Sequence, residues 1–257
     1  MKKLSLIFLS FYSLSFANET YITSIPILKT WLQVIRPGLQ VEVLYKANQD
    51  PHQFDLAPSS LKKILHCKEA ILLGANYDSN LESFFQSKKI PVFKIFENSE
   101  AIHYSSLLGD QFNSHIFLSL KKNIQALEKL KKHFNVEFFT LPEFWLKLKK
   151  LDLQMETIFK TCKPNILSDH GASLVFYNDY KVNLLGAFEE SHGMDLSIKK
   201  FEGLQSSLDD KAIFINETGR KYSNLKNISK VINLKNLTSQ EALFQLAEET
   251  QKFCSKQ

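Results

Sequence analysis

Arginine is almost missing from this chain: Arg36 and Arg220 are the only two in 257 residues. Readers of nucleic acid rely on clustered guanidinium forks and a basic face, and neither is present. The formal charge of +5 is carried by lysine and falls to +3 once Lys2 and Lys3 are set aside. The lysine runs at Lys121–Lys122, Lys129–Lys132 and Lys147–Lys150 fall on helical patterns and read as solvated helix faces. Cysteine is equally scarce. Cys67, Cys162 and Cys254 have no CxxC spacing, which argues against a zinc knuckle or a thioredoxin-like redox motif. No HExxH helix of the metalloprotease type occurs either. Beyond the first residues no apolar run approaches the roughly 20 positions that a membrane-spanning helix needs.

What is there begins with an export pattern. Met1-Lys2-Lys3 supplies a basic start, Leu4 to Phe16 an apolar core, and Ala17 a small-residue cleavage site, so residues 1–17 are expected to be a signal peptide. No cysteine follows Ala17, and a lipid anchor is not expected there. The mature chain then starts near Asn18 in an extracytoplasmic, periplasmic compartment. One cysteine pair is expected to close in such surroundings, Cys162 with Cys254, both in the second half. Cys67, placed on a helix beginning near Ser59, is read as a buried free thiol.

Along the chain, short apolar strands alternate with helical periodicity. Strands are expected at Thr20–Ile25, Leu39–Tyr45, Ala70–Leu73 and Pro91–Phe96, with helices at Leu28–Val34, from Pro58-Ser59 onward, and at Asn80–Gln86. A polar loop without periodicity is expected from Glu97 to Ser114, then a helix over Leu118–His133. Pro142 opens a long helical pattern, Glu143–Lys160, with Phe144, Leu148, Leu151, Met155 and Ile158 on one stripe. After it the alternation resumes, with strands at Pro164–Leu167, Lys181–Leu185, Ala212–Asn216 and Lys230–Leu234. Helices are expected from Ala172, over Ser197–Ser207 and Ser223–Asn227, and finally over Ser239–Phe253. The fold class is therefore α/β, two lobes that are each a mostly parallel sheet flanked by helices, joined by one long linking helix. The expected divisions are 18–141, 142–162 and 163–257.

Three histidines share a setting. His52, His115 and His170 each follow a strand or loop and precede a helix, the position outside the carboxyl ends of parallel strands where ligands gather. His52 stands on a stiff connection, between Pro51, which fixes its own φ, and Pro58 at a helix start. His66 and His133 lie on predicted helices among lysines, His103 lies in the polar loop, and His192 in Ser191-His192-Gly193. Three imidazoles in equivalent positions point to a shared metal.

The residues around them sharpen this. Asp50-Pro51-His52-Gln53-Phe54-Asp55 through Pro58-Ser59, His115-Ile116-Phe117-Leu118-Ser119, and Ser168-Asp169-His170-Gly171-Ala172 resemble, in order and spacing, the three ligand segments of the ZnuA/TroA-like zinc and manganese solute-binding proteins of ABC transporters. The resemblance extends over nearly the whole mature chain, and Asn216-Glu217 is similar to that family's E-P-Q segment. It implies a metal held by His52, His115 and His170 between two lobes, and a membrane permease as partner. The mature chain would be monomeric, not stably inserted in the membrane, and not an enzyme. Three departures stand out. Asn113-Ser114 replaces Asp-Pro, Gly171 replaces Asp, and Leu234-Lys235-Asn236-Leu237 lacks a ligand carboxylate, leaving the fourth position to water, Glu217 or Asp50.

Three neutral imidazoles with water or one carboxylate suit tetrahedral Zn²⁺, the expected transported ligand, and suit Mn²⁺ less because it prefers more oxygen. Affinity should fall as protons compete for imidazole near pH 6.5. The alternatives are a manganese-binding protein of the same type and an exported zinc-dependent hydrolase, which would have to promote Asp169 or Glu217 to general base.

Overall fold

The structure, a computed structural model, describes residues 19–45, 58–106, 109–137, 142–191, 194–195, 198–209, 211–222, 225 and 227–257. The expected signal peptide and the turn carrying Asp50 and His52 lie outside them.

The first lobe opens with β1 (Thr20–Thr23), α1 (Pro26–Ile35) and β2 (Gln40–Val43). Pro26 starts α1, where its missing N–H costs nothing, and Ile27, Leu28, Trp31, Leu32 and Ile35 form its buried stripe. After α2 (Pro58–Leu65) come β3 (Glu69–Gly74), α3 (Ser79–Ser87) and β4 (Val92–Phe96). These strands form a parallel sheet in the order β2-β1-β3-β4. Buried on both faces, β3 reads as the unbroken apolar run Ala70-Ile71-Leu72-Leu73. Its side chains alternate, Ile71 and Leu73 facing a central core, Ala70 and Leu72 an outer one.

The stretch expected to be a polar loop is instead ordered. A 3-10 turn at Asn98–Glu100 leads into an antiparallel hairpin of β5 (Ile102–Ser106) and β6 (Gly109–Asn113). Its residues are too polar to show as strands by hydrophobicity, yet Ile102 and Tyr104 turn inward while His103 and Ser105 are exposed, a period of two. A second 3-10 turn, Ile116–Leu118, follows His115 and runs into α4 (Leu120–His133), which starts where the Ser119 hydroxyl accepts from the Lys122 amide.

The helix α5 (Glu143–Thr161) then leads to the second lobe, made of β7 (Asn165–Ser168), α6 (Leu174–Asn178), β8 (Asn183–Ala187), a small hairpin of β9 (Glu189–Ser191) and β10 (Met194–Asp195), α7 (Ile198–Ser206), β11 (Ala212–Asn216), β12 (Lys230–Asn233) and α8 (Gln240–Cys254). Its parallel sheet has the order β8-β7-β11-β12. Numbered within each lobe, both sheets therefore run 2-1-3-4. The strand expected at Lys181–Leu185 begins two residues later because Lys181 adopts a left-handed turn with φ 53°. The short helix expected over Ser223–Asn227 falls largely outside the described residues.

The central core is continuous through both lobes, drawing Trp31, Leu127, Leu148, Met155, Phe159, Ile213 and Leu246 into one cluster. A disulfide between Cys162 and Cys254 fastens the end of α5 to the end of α8. Cys67 is a free cysteine, but it sits two residues past the end of α2 and is only half-buried, so the expected helical, buried thiol is corrected on both counts. Burial still pushes that thiol above its ordinary range.

Candidate metal centre

Each lobe changes winding direction between its first and third strands, the place where open α/β sheets bind ligands. In the first lobe the Ser24 hydroxyl, just past β1, donates to the buried Asp78, which also accepts from the amides of Leu73 and Gly74 at the end of β3. In the second lobe Ser168 at the end of β7 donates to Glu217 just past β11, 2.5 Å. The two lobes thus repeat one device, a serine after the first strand tied to a carboxylate after the third. Both oxygens of Asp78 accept from groups of its own lobe, whereas Glu217 shapes the loop that carries His170.

That loop is closely fixed. Glu217 Oε2 accepts from the Ala172 amide at 3.0 Å, and Oε1 accepts from the Ser173 amide at 3.0 Å and from the Ser173 hydroxyl. The Ser168 hydroxyl also accepts from the Gly171 amide, 3.0 Å. Asp169, fully buried, holds the other side through the amides of Glu217 and Thr218 at 2.8 and 3.1 Å and the Thr218 hydroxyl at 2.5 Å. Burial raises the Glu217 carboxyl, and the charge of neighbouring His170 draws it back down. Gly171 has φ +91°, and a Cβ there would lie 3.0 Å from that of Ala187. Glycine is the residue this turn accommodates, which accounts for its standing where the resemblance leads one to expect Asp.

His115 is placed from the other lobe. Asn123 on α4 donates to the carbonyls of Phe117 and Ser119, both 2.7 Å, and accepts from Trp31 Nε1 at 2.9 Å. Those bonds pin the 3-10 turn after His115. The imidazole, 7 % exposed, packs edge-on to Tyr77 and Phe117. Asn113 Oδ1 accepts from the His115 backbone amide at 2.9 Å and lies 3.0 Å from Nδ1. Since an amide oxygen only accepts, Nδ1 carries the proton and Nε2 the lone pair.

His115 and His170 face each other across the lobes, ring centres 5.2 Å apart and planes at 79°. Two of the three expected ligands are therefore together, and the third, His52, lies outside the described residues. Among the described residues no group of three His, Cys, Asp or Glu is close enough to hold a metal. The other histidines point elsewhere: His66 and His103 are exposed, His133 stacks on Phe93 and meets Glu69 at 2.9 Å, and His192 is not described. The supporting residues Asn113, Tyr104, Ser173 and Asn123 carry no metal-ligand signature in sequence. Only the Asn-x-His spacing, a seed for an Asx turn, hints at the role of Asn113.

Residues 22–137 match the family model for ZnuA, zinc-uptake complex component A, periplasmic. The chain overlays the crystal structure of ZnuA with a TM-score of 0.72 at 16% identity, covering 92% of this chain and 98% of that one. On the solute-binding protein FpvC of Pseudomonas aeruginosa, solved in complex with Mn²⁺, the score is 0.75 at 14% identity, over 93% and 99%. A putative metal-binding protein of Chlamydia trachomatis is 24% identical over 208 residues, 74% of this chain and 73% of that protein. The chain thus has the fold of these solute-binding proteins, and over residues 22–137 it is similar to the ZnuA family.

The family matched over residues 22–137 is described as a component of an uptake complex, which lends the hydrolase alternative no support. Asp169 and Glu217, the two candidates for a general base, each accept from three or more donors that fix the loops around them. The matched family is described as periplasmic, and among the described residues no helix is long and apolar enough to cross a membrane.

Proposed function

We propose that this protein captures a divalent transition metal, Zn²⁺ in first place, with His52, His115 and His170 between its lobes, and delivers it to an ABC permease. The observation that carries the reading is the His115–His170 pair. Two imidazoles sharing a tetrahedral ion at about 2.0–2.1 Å from each nitrogen would have ring centres about 5 Å apart, and theirs are 5.2 Å apart. The tautomer set by Asn113 presents Nε2 as the donor, the role that second-sphere partners play for metal-bound histidine.

The donor set also supports zinc over manganese. Glu217 is committed to the Ser168 and Ser173 hydroxyls and two amides, and Lys235 is exposed on the surface, so neither adds an anionic oxygen. Nitrogen donors with a water or Asp50 then make a borderline-soft site rather than an oxygen-rich one. FpvC has also been solved with Ni²⁺, and nickel competes for such imidazoles.

The test is a titration of the metal-free protein with Zn²⁺ and Mn²⁺. Replacing His115, His170 or His52 by Ala, one at a time, should weaken Zn²⁺ binding by at least about 100-fold each. Unchanged affinity in all three would remove the assignment, and tighter binding of Mn²⁺ than of Zn²⁺ would replace zinc with manganese.

A further inference from the structure

Asn113 does more than orient one imidazole. Its carboxamide uses both ends: Oδ1 takes the amide and Nδ1–H of His115, while Nδ2 donates 2.8 Å to the carbonyl of Gly171, which adjoins His170 in the opposite lobe. The Asn113 side chain also hydrogen-bonds Tyr104, a buried residue of β5. Asn113 is itself only 6 % exposed, so these bonds form out of water, where an unmade partner is costly.

Two departures from the family pattern therefore face each other. An Asp at 113 could accept from His115 but could not donate to Gly171, and its second oxygen would oppose that carbonyl. A side chain at 171 would strain the positive φ and meet Ala187, shifting the carbonyl that Asn113 reaches. Accepting the assignment of the two histidines as ligands, we infer that Asn113 is a positioning residue that fastens the His115 and His170 loops to one another before metal arrives. Most of the ordering of these loops is then present in the metal-free protein, and metal closes a site already assembled from both sides.

The experiment measures hydrogen exchange in peptides covering residues 113–119 and 168–176 of the full chain, metal-free and Zn²⁺-loaded, beside the Zn²⁺ dissociation constant. In the wild type, exchange in 168–176 should differ by less than about tenfold between the two states, as expected of a pre-ordered loop. Asn113→Asp keeps the acceptor for His115 and loses the donor, so metal-free exchange in 168–176 should rise more than about tenfold while the loaded form stays near wild type. Asn113→Ala should in addition weaken Zn²⁺ binding about 10- to 100-fold, the range for lost second-sphere partners.

Metal-free wild-type exchange far faster than the loaded form, or no change in 168–176 with either variant, overturns the inference. His115→Ala and His170→Ala separate the two claims. If they leave zinc affinity intact, the metal assignment has failed, whereas histidine-dependent affinity with unmoved exchange removes only the strut.

Discussion

A single carboxylate shows how burial in the lobe junction becomes a pH response. Asp179, just past α6, accepts from the Ser119 hydroxyl at 2.7 Å and the Lys121 amide at 3.3 Å, so a residue of the second lobe caps the first turn of α4 in the first. Burial pushes its carboxyl up to about 6, against the pull of those donors and of Lys121, with Asp152 adding to the rise. The folded protein thus holds a proton that the unfolded chain releases near pH 4. Its contribution is full below about pH 4 and is lost as the pH rises through 6. Asp179→Asn, which keeps an acceptor for Ser119, should stabilise the protein on the order of 1–2 kcal/mol at pH 7.5 and little at pH 4, a window set by this shift. Thermal melts at the two pH values check it, and equal shifts at both would show that the carboxyl is not responsible. Residue chemistry was partly legible in advance. The place of His115 and His170 before helices is readable, and the two rings meet, but Asn113 and Ser173 act through bonds to residues 58 and 44 positions away, and Tyr104 through Asn113 across a hairpin, which no local pattern records.

Elements that bury a regular face were the readable ones. The strand at Ala212–Asn216 follows from an unbroken apolar run, and the helix at Glu143–Thr161 from an apolar stripe of period 3.6. The β5–β6 hairpin was missed because its inward residues are few, yet it supplies Tyr104 and ends at Asn113, both part of the site's support. The error has a physical source, since this hairpin packs its inner face on the second lobe rather than completing a core of its own. The disulfide also belongs to this scale. It closes a separation of 92 residues between the C-cap of α5 and the end of α8. Chain-entropy arguments put such a crosslink at up to about 4–5 kcal/mol. Replacing Cys162 and Cys254 together by Ser should lower the melting temperature by about 5–15 °C, and a reductant should act on the wild type alone. A reductant-insensitive wild type with unchanged melting would mean that the bond contributes nothing.

The whole molecule is two parallel sheets of the same winding order that share one apolar core through α1, α4, α5 and α8. A core that continuous resists wide hinge opening, because separating the lobes would expose packed side chains to water. Under the proposed function, metal capture works by small adjustments of the His170 loop, and docking on a permease is the step that would release the cargo. Binding to the folded state alone stabilises it by mass action, so Zn²⁺ at 100 times its dissociation constant should add about 2.7 kcal/mol and raise the melting temperature by about 5–11 °C. An unmoved midpoint at saturating zinc would contradict capture by the native fold. The two-lobe plan was legible because alternating strands and helices leave few topologies. The closeness of the lobes was not, since it depends on long-range contacts such as Asn113 to Gly171 and Ser119 to Asp179. The most direct test of the central claim is anomalous diffraction at the zinc edge from crystals grown with Zn²⁺. One strong peak is expected at about 2.0–2.1 Å from Nε2 of His115 and from ring nitrogens of His170 and His52. A peak bound elsewhere, with His115 and His170 both out of reach of it, would contradict metal capture by these histidines.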